Sequence, residues 1–413
     1  MHLPFRTGSA TLKKLSHRSH YDLILVGGGT ASSLLAIRLQ HRFPNRAILL
    51  IDSGGRLGAE RTHTLYSSQL SKECWTWLQP YLSSSWSGAD LHLSNGPRRL
   101  LDGHHAIRPR DFHRAAMRHL HDRVRLKTEV ANIFSDGVRL ADGERLTSGA
   151  VIDARGWAPF QRSRVGFQKY LGLELRLKYP HGLTYPLLMD GRCEPSDGFR
   201  FFRVFPWSPM ELTVEEVHFS DTPIVDTELY REEIYRYADL QGWSILWESA
   251  QECAAFPIPF QSDFWNDTVG YQQMDSTQIP VFGRRSGIFH PTTSQALHEA
   301  LQAIEWLEKR FVFDSGILTK LLTHFYADRA RRESFFFLFN RLLFGMADST
   351  KDYSRVEKVY QLPESVLQRF YGARLNAWDR VRLSSLGRIT NGFSEGFSVL
   401  TNGKKLPFLQ PLR

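Results

Sequence analysis

The sequence predicts an α/β fold: a βαβ unit at the front, a mostly antiparallel sheet inserted after it, and helices toward the C-terminal end. Three observations carry that expectation. Asp22-Leu23-Ile24-Leu25-Val26 is a short apolar run that leads directly into Gly27-Gly28-Gly29, and a second run, Ala47 to Ile51, ends on Asp52. Between the two, Leu34, Leu35, Ile37 and Leu39 recur at helical spacing, so strand, turn, helix and strand fit one supersecondary unit. From about Val165 to Trp265 short β-type stretches alternate with turn signals, and from Leu297 the apolar spacing becomes helical.

The front unit has the chemistry of a dinucleotide site. Gly27, Gly28 and Gly29 suit a tight strand-to-helix turn whose backbone approaches a pyrophosphate, with Ala31 in the first turn of a helix whose dipole attracts anions. Asp52 stands 25 residues beyond Gly27, where an acid accepts hydrogen bonds from ribose hydroxyls. Ser32 occupies the place of the third glycine of a GxGxxG pattern, and an ordinary βα turn is the alternative reading. Arg110, at the start of a helix over Asp111 to His121, either reaches the nucleotide or is a solvated charge.

Later segments extend the plan. Ala150 to Gly156 reads as a buried strand returning the chain to the nucleotide unit. Gly283 to Thr293, containing Gly287, Pro291 and Thr292, precedes a helix and suits backbone contact with the same ligand. Within the insertion Leu173 to Leu177, Phe199 to Phe205 and Leu212 to Phe219 are expected strands. A helix over Leu297 to Phe311 is followed by amphipathic segments at Ile317 to Met346 and Ser354 to Arg380.

Composition sets the outer limits. With 42% apolar and 23% charged residues in 413, a disordered chain is excluded. No apolar stretch reaches the length of about 18 residues that a membrane-spanning helix needs. Cys74, Cys193 and Cys253 lie far apart with no CxxC pair, which excludes a disulfide framework and a sequence-local zinc site and fits a reducing cytosol. The 28 Phe, 14 Tyr and 10 Trp suit a large apolar pocket, a membrane interface or an aromatic core. The net charge of +9 comes without a nucleic-acid-binding motif and fits attraction to anionic headgroups. Leu321 to Met346 mixes Arg329, Arg331, Arg332 and Arg341 with Phe325, Phe335, Phe336, Phe337, Phe339 and Phe344, a pattern for a peripheral membrane contact or for a core-packed helix.

Tyr21 to Gly29, Val151 to Gly156, Val165-Gly166-Phe167-Gln168 and Tyr179-Pro180-His181-Gly182-Leu183 are recognisable pieces. So are Val214 to Phe219, Gly287 to Thr293, Phe336 to Phe344 with Asn340-Arg341, and Leu362-Pro363-Glu364 with Arg369-Phe370-Tyr371. In their order and spacing, from Tyr21 to about Gly387, the chain resembles the bacterial flavin-dependent lycopene β-cyclases of carotenoid biosynthesis. The resemblance implies a Rossmann-type FAD-binding domain of the flavoprotein monooxygenase kind. Its parts would be a flexible basic arm (1–19), a first FAD-binding part (20–164), a substrate domain (165–270), an FAD-binding return segment (271–311), a C-terminal helical region (312–387) and a loose tail (388–413).

It implies an isomerase of the intramolecular lyase type that needs reduced FAD, takes its electrons from NAD(P)H and requires no metal. The substrate would be a lipophilic polyene, and the protein a cytoplasmic one held peripherally at a membrane surface, with other carotenoid enzymes as partners and no nucleic acid. A carboxylic acid protonates the terminal double bond, the neighbouring alkene attacks the cation, and loss of a ring proton closes a β-type ring. The family's acid lies in a paired-acid motif matching Glu215 and Glu216, and the resemblance puts it at Glu215. Strand alternation sends the two side chains to opposite faces. Such an acid must stay protonated near neutral pH, as desolvation achieves, and the cation needs aromatic faces, for which Phe199, Phe201, Phe202, Phe205 and Trp207 lie upstream. Another flavin-dependent monooxygenase or a polyene reductase, and a catalytically silent lipid- or partner-binding homologue, are the alternatives.

Overall fold

A computed structural model describes residues 18–58, 61–156, 165–194, 196–261, 279–345 and 354–386. Most of the basic arm, the tail at 388–413 and the junction expected near 270 lie outside the described residues. β1 (His20–Val26), α1 (Thr30–Arg42) and β2 (Ile48–Ile51) form the βαβ unit, with the two strands parallel. β1 and β2 are apolar without alternation because both faces are covered. Leu23, Leu25 and Leu50 pack on α1 and neighbouring helices, while Ile24, Leu49 and Ile51 meet Val130, Val138 and Leu146.

The chain continues through β3 (His63–Tyr66), α2 (Lys72–Leu78), β4 (Ser84–Trp86), β5 (Ala89–Leu93), β6 (Gly96–Leu100), β7 (His104–Ile107) and α3 (Pro109–Leu120). β8 (Val124–Arg125), β9 (Val130–Phe134), β10 (Gly137–Leu140) and β11 (Arg145–Asp153) follow. Among the described residues the first sheet has the order β8-β2-β1-β11-β10-β9, and β11 runs parallel to β1 with Asp153 beside Val26. β3, β7 and β4 make a small antiparallel sheet.

The inserted sheet is built from β12 (Val165–Leu177), β13 (Leu187–Asp190), β14 (Phe199–Ser208), β15 (Glu211–Ser220) and, after α4 (Thr227–Leu240), β16 (Ile245–Pro259). Its order is β16-β12-β15-β14-β13-β5-β6, so Ala89 to Leu100, from the segment read as the first nucleotide-binding part, completes its edge. The three expected strands are present and longer than expected. β16, of 15 residues, is an addition that the sequence pattern did not single out.

Among the described residues five helices follow: α5 (Leu297–Glu308), α6 (Ser315–Gly345), α7 (Ser354–Tyr360), α8 (Glu364–Tyr371) and α9 (Ala377–Ser385). The single amphipathic segment expected over Ser354 to Arg380 is corrected to three short helices. Pro363 stands at the start of α8, and Asn376 accepts from the Asp379 N–H at 2.9 Å to restart the chain as α9. α6 is a core helix along much of its length: Phe336, Phe337 and Phe339 are buried, and Arg329 is buried between Glu299 and Glu333. Those aromatic rings are therefore not a lipid-facing surface. Among the described residues no helix is long and apolar enough to cross a membrane.

Candidate active site

α1 starts at Gly29, with no side chain capping it and no acid in its first turn. Its leading N–H groups and positive dipole end border a cleft lined by Gly29, Thr30, Ala31, Ser32, Ala154, Gly156, Gly283, Arg284 and Ile288. Gly27 has φ +110°, and a Cβ there would lie 2.5 Å from the Ala154 carbonyl oxygen, so the close approach of β1 and β11 requires glycine. The Ser32 hydroxyl donates to the Gly27 carbonyl at 2.5 Å and is also 3.0 Å from that of Gly29, tying the turn down where the usual motif has a third glycine. Asp52 accepts from the Gly28 N–H at 2.5 Å and the Gly54 N–H at 2.7 Å, which fixes its carboxylate beside the turn. Such a cleft suits a pyrophosphate and an adjoining ribose.

Beyond this cleft the inserted sheet presents one polar row across four strands. Arg203 on β14 is opposite Glu215 on β15, Glu215 is opposite Gly172 on β12, and Gly172 is opposite Glu252 on β16. Residues paired this way share a face of the sheet. Glu215 and Glu216 are each 2% exposed and, as alternation requires, lie on opposite faces. Glu215 makes a close ion pair with Arg203 at 2.7 Å. Glu216 meets Arg200 at 2.7 Å and His218 Nε2 at 2.9 Å on the face covered by α4.

Glu252 accepts from the Thr62 N–H at 2.6 Å and the Thr62 hydroxyl at 2.9 Å. Burial, and then the neighbouring charge of Glu215, push its carboxyl up to about 7. Tyr170 lies on the same face, two residues before Gly172, and burial drives its hydroxyl well above the ordinary phenol range. His63 is 3.0 Å from the Thr30 hydroxyl through Nε2. Burial, helped by Arg61 and Arg284, holds its ring well below the usual histidine range, so it is neutral at physiological pH.

These residues form a connected series. Arg61, Thr62, His63, Tyr170, Arg203, Phe205 and Glu215 line an acid chamber. The chamber shares His63, Ala296 and Leu297 with the nucleotide cleft. It shares Thr64, Arg203, Phe205, Thr293 and Gln295 with a larger aromatic pocket of roughly 790 Å³, counting its open mouth. Tyr66, Phe201, Phe219, Phe339, Phe370 and Tyr371 supply that pocket's rings. His104 also lines it, and burial lowers this ring to about 3, which leaves it uncharged. A buried carboxyl between an anion-binding cleft and an aromatic pocket can protonate an apolar molecule and shield the cation that results.

The sequence reading needs correction at several positions. Arg110 pairs with Glu174 at 2.7 Å, away from the glycine turn. Gly283, Arg284 and Ile288 line the nucleotide cleft, whereas Gly287 turns the chain at φ +71° and accepts from Arg329 at 2.8 Å. The Pro291 carbonyl accepts from Asn340 at 3.0 Å, and Thr292 lines the aromatic pocket. Phe201 and Phe205 face that pocket, but Phe202 points the other way and stacks on Tyr237 at 4.2 Å. Glu252, Arg203, Thr62 and His63 were missed. The run Ser249 to Ala255 around Glu252 carries no clear alternation, and nothing local told which face or which neighbour Glu252 would have.

Comparison with known proteins identifies the fold and the family. Solved structures share the fold at low identity. A geranylgeranyl bacteriochlorophyll reductase-like protein from Thermoplasma acidophilum superposes with a TM-score of 0.57 at 14% identity, covering 92% of this chain and 98% of its own. A probable FAD-dependent monooxygenase from Pseudomonas aeruginosa gives 0.57 at 14% identity, covering 83% of this chain and all of its own. In sequence, lycopene beta-cyclase of Pantoea ananas is 34% identical over 366 residues, covering 89% of this chain and 94% of its own. That of Paracoccus sp. (strain N81106 / MBIC 01143) is 30% identical over 88% of this chain and 93% of its own. The family model for lycopene cyclase protein matches residues 22–392, and the chain belongs to the lycopene cyclase family.

Proposed function

We propose that this chain closes a β-type ring at the end of a lycopene-like polyene, with Glu215 as general acid and reduced FAD at the glycine turn. The observation that carries the reading is the position of Glu215, buried in a chamber that opens to the nucleotide cleft on one side and to the aromatic pocket on the other. The residues present fit FAD. Backbone N–H groups of Gly29 to Ala31 suit its pyrophosphate, Asp52 its ribose and Gly283 to Ile288 the middle of the molecule. Arg61 and Arg284 lie 4.3 and 4.0 Å from the Phe256 ring at the junction with the chamber, where positive charge suits an anionic ring system. Reduced FAD held there, with NAD(P)H as its electron source, would supply electron density to the site without net redox change.

The protein's own residues do the rest. The Glu215 O–H breaks and its proton adds to the terminal alkene, whose π pair forms the new C–H bond. The next alkene attacks the cation, and a ring proton leaves to restore a double bond, so the product is an isomer of the substrate. Arg203 stands beside the carboxylate left behind as its counter-ion. Aromatic faces in the pocket steady the cation, and the neutral rings of His63 and His104 add no repelling charge.

The insolubility of such a polyene in water supports a peripheral membrane contact and transfer from other carotenoid enzymes. Trp378 and Val381, three residues apart on α9 and 76% and 60% exposed, are better placed for it than the buried rings of α6. The test of the function is expression in a lycopene-accumulating bacterium, followed by pigment absorbance and mass. Cyclised product of unchanged mass is expected. Added oxygen would indicate a monooxygenase, added hydrogen a reductase, and untouched lycopene beside flavin-loaded protein a silent homologue.

A further inference from the structure

β7 carries two neighbouring histidines with opposite surroundings. His105 has a partner at both ring nitrogens, the Ser67 hydroxyl 2.8 Å from Nε2 and the Ser85 hydroxyl 2.9 Å from Nδ1. His104 points to the other side of the strand, as alternation requires, and lines the aromatic pocket. It is 1% exposed, and among the described residues neither of its ring nitrogens has a hydrogen-bond partner. Burying a polar group unpaired is costly, and a partner that arrives with the substrate gives it a use. The ring is also held in place. Tyr66 and Trp86, its cross-strand neighbours on β3 and β4, pack against it with ring centroids 4.9 and 6.3 Å away.

We propose that His104 is the general base of ring closure, an imidazole nitrogen taking the ring proton whose departure sets the position of the new double bond. The proposal rests on the reading of Glu215 as the acid and of the aromatic pocket as the polyene's place. Arg203 and Phe205 line both that pocket and the acid chamber, so a cation formed beside Glu215 arises next to the space His104 faces. Among the described residues lining the pocket there is no carboxylate. Thr64, Gln168 and Gln295 offer only weakly basic oxygens, burial keeps Tyr66 and Tyr371 as phenols, and Arg203 has no lone pair to give. Imidazole is the strongest base there. Burial above all lowers it to about 3, so it is neutral and one nitrogen lone pair is free at physiological pH. That basicity suffices, because a C–H bond next to a tertiary cation is a much stronger acid than imidazolium, and it lets the ring shed the proton again. The electrons balance. The ring C–H bond breaks, its pair becomes the new π bond, and the proton forms an N–H bond on His104. Glu215 has then lost one proton and His104 has gained one, and its return to the carboxylate restores both groups.

The experiment isolates the ring products made from lycopene in heavy water by the flavin-loaded parent, His104→Phe, His104→Gln, His105→Gln and Glu215→Gln, with rates counted per folded, flavin-loaded protein. A cation can lose a proton from any adjoining carbon, so a placed base gives one double-bond isomer and its removal gives others. The parent should form a single ring isomer. His104→Phe keeps a ring in place and removes the lone pair, so ring formation should fall about a hundredfold, the scale of general base catalysis. What remains should have mixed or shifted double-bond positions. Should it form no ring at all, recovered lycopene should still carry deuterium at the protonated carbon, because Glu215 continues to protonate it and the cation reverts. His104→Gln, the substitute if His104→Phe fails to fold, should behave likewise, since an amide is a far weaker base. His105→Gln alters the other side of the same strand and should keep the parent's isomer. The base assignment is overturned by the parent's single isomer from either His104 variant at any rate, by several isomers from the parent or from His105→Gln, or by a folded His104 variant that yields neither ring nor deuterium. If instead the parent leaves lycopene untouched or Glu215→Gln cyclises at the parent rate, the acid assignment has failed and the base falls with it.

Discussion

Glu215 and Glu216 are neighbours on one strand, equally buried, each within 2.7 Å of an arginine. Their surroundings differ. Glu216 faces α4, where His218 and Arg200 meet it, Arg200 bonds onward to Glu233 at 2.6 Å, and Tyr230 packs on His218 at 4.6 Å. That side is a charged layer between sheet and helix, and Arg200 and Glu233 also line a polar pocket with Asp190, Arg192 and Arg236 that has neither a glycine turn nor the aromatic walls of the other face. Glu215 faces a chamber with a cofactor-type cleft at one end and aromatic walls at the other. Burial and an arginine partner are common to both, so neither identifies an acid. What separates them is access to something that can be protonated.

The comparison is broken most directly at the open face. Glu215→Gln keeps the shape and removes the transferable proton, so cyclisation should fall by at least about a hundredfold, the scale of general acid catalysis. Flavin content should stay near the parent's, while melting temperature should fall because the buried pair with Arg203 is broken, so the rate is compared per folded, flavin-loaded protein. A variant that forms rings at the parent rate in a lycopene-producing host would remove the functional difference between the two faces.

The cofactor side is sharpened by Gly29→Val. Gly29 has φ −61° and ψ 166°, an extended conformation open to any residue, so the backbone should tolerate the change. Its side chain would enter the cleft where a pyrophosphate belongs. Purified variant should retain its far-UV circular dichroism and lose most bound flavin, read from absorbance near the flavin band. Full flavin content would move the cofactor elsewhere.

At the α4 face the effect should be on stability. Glu216→Gln leaves Arg200 buried with Glu233 as its remaining acid, and losing one partner of a buried ion pair costs about 3 kcal/mol. Chemical denaturation should show that loss, and any drop in product should track the loss of folded protein. A variant as stable as the parent but unable to cyclise would place Glu216, not Glu215, in the reaction.

The two faces also show what a sequence can and cannot disclose. The turn at Gly27 to Gly29 was legible because its requirements are local: a strand, a close backbone approach and an acid one strand away. The adjacent glutamates were legible through family motifs, and period-2 alternation separated them. Arg203 and Glu252 were not, because their nearness to Glu215 depends on which strands pair and in which register, with Glu252 brought beside β15 only through β12. The break at Pro363 was written in the chain and overlooked, since the apolar spacing on both sides continued at helical period.

Arg110 illustrates the same limit and gives the smallest expected effect. Its place ahead of a helix matched a nucleotide contact, but Glu174, on a strand of the inserted sheet, captures the guanidinium at 2.7 Å. Glu174 has a second cation close by, Arg108 at 3.5 Å, so removing Arg110 does not leave the carboxylate without a partner. Arg110 is also 37% exposed along its side chain, and water screens such pairs to about 0–1 kcal/mol. Arg110→Ala should therefore change the denaturation midpoint slightly and leave flavin content within error of the parent. Loss of flavin comparable to that of Gly29→Val would mean that Arg110 leaves Glu174 when the cofactor binds, and would join the nucleotide cleft to the inserted sheet through a residue that here belongs to the sheet alone.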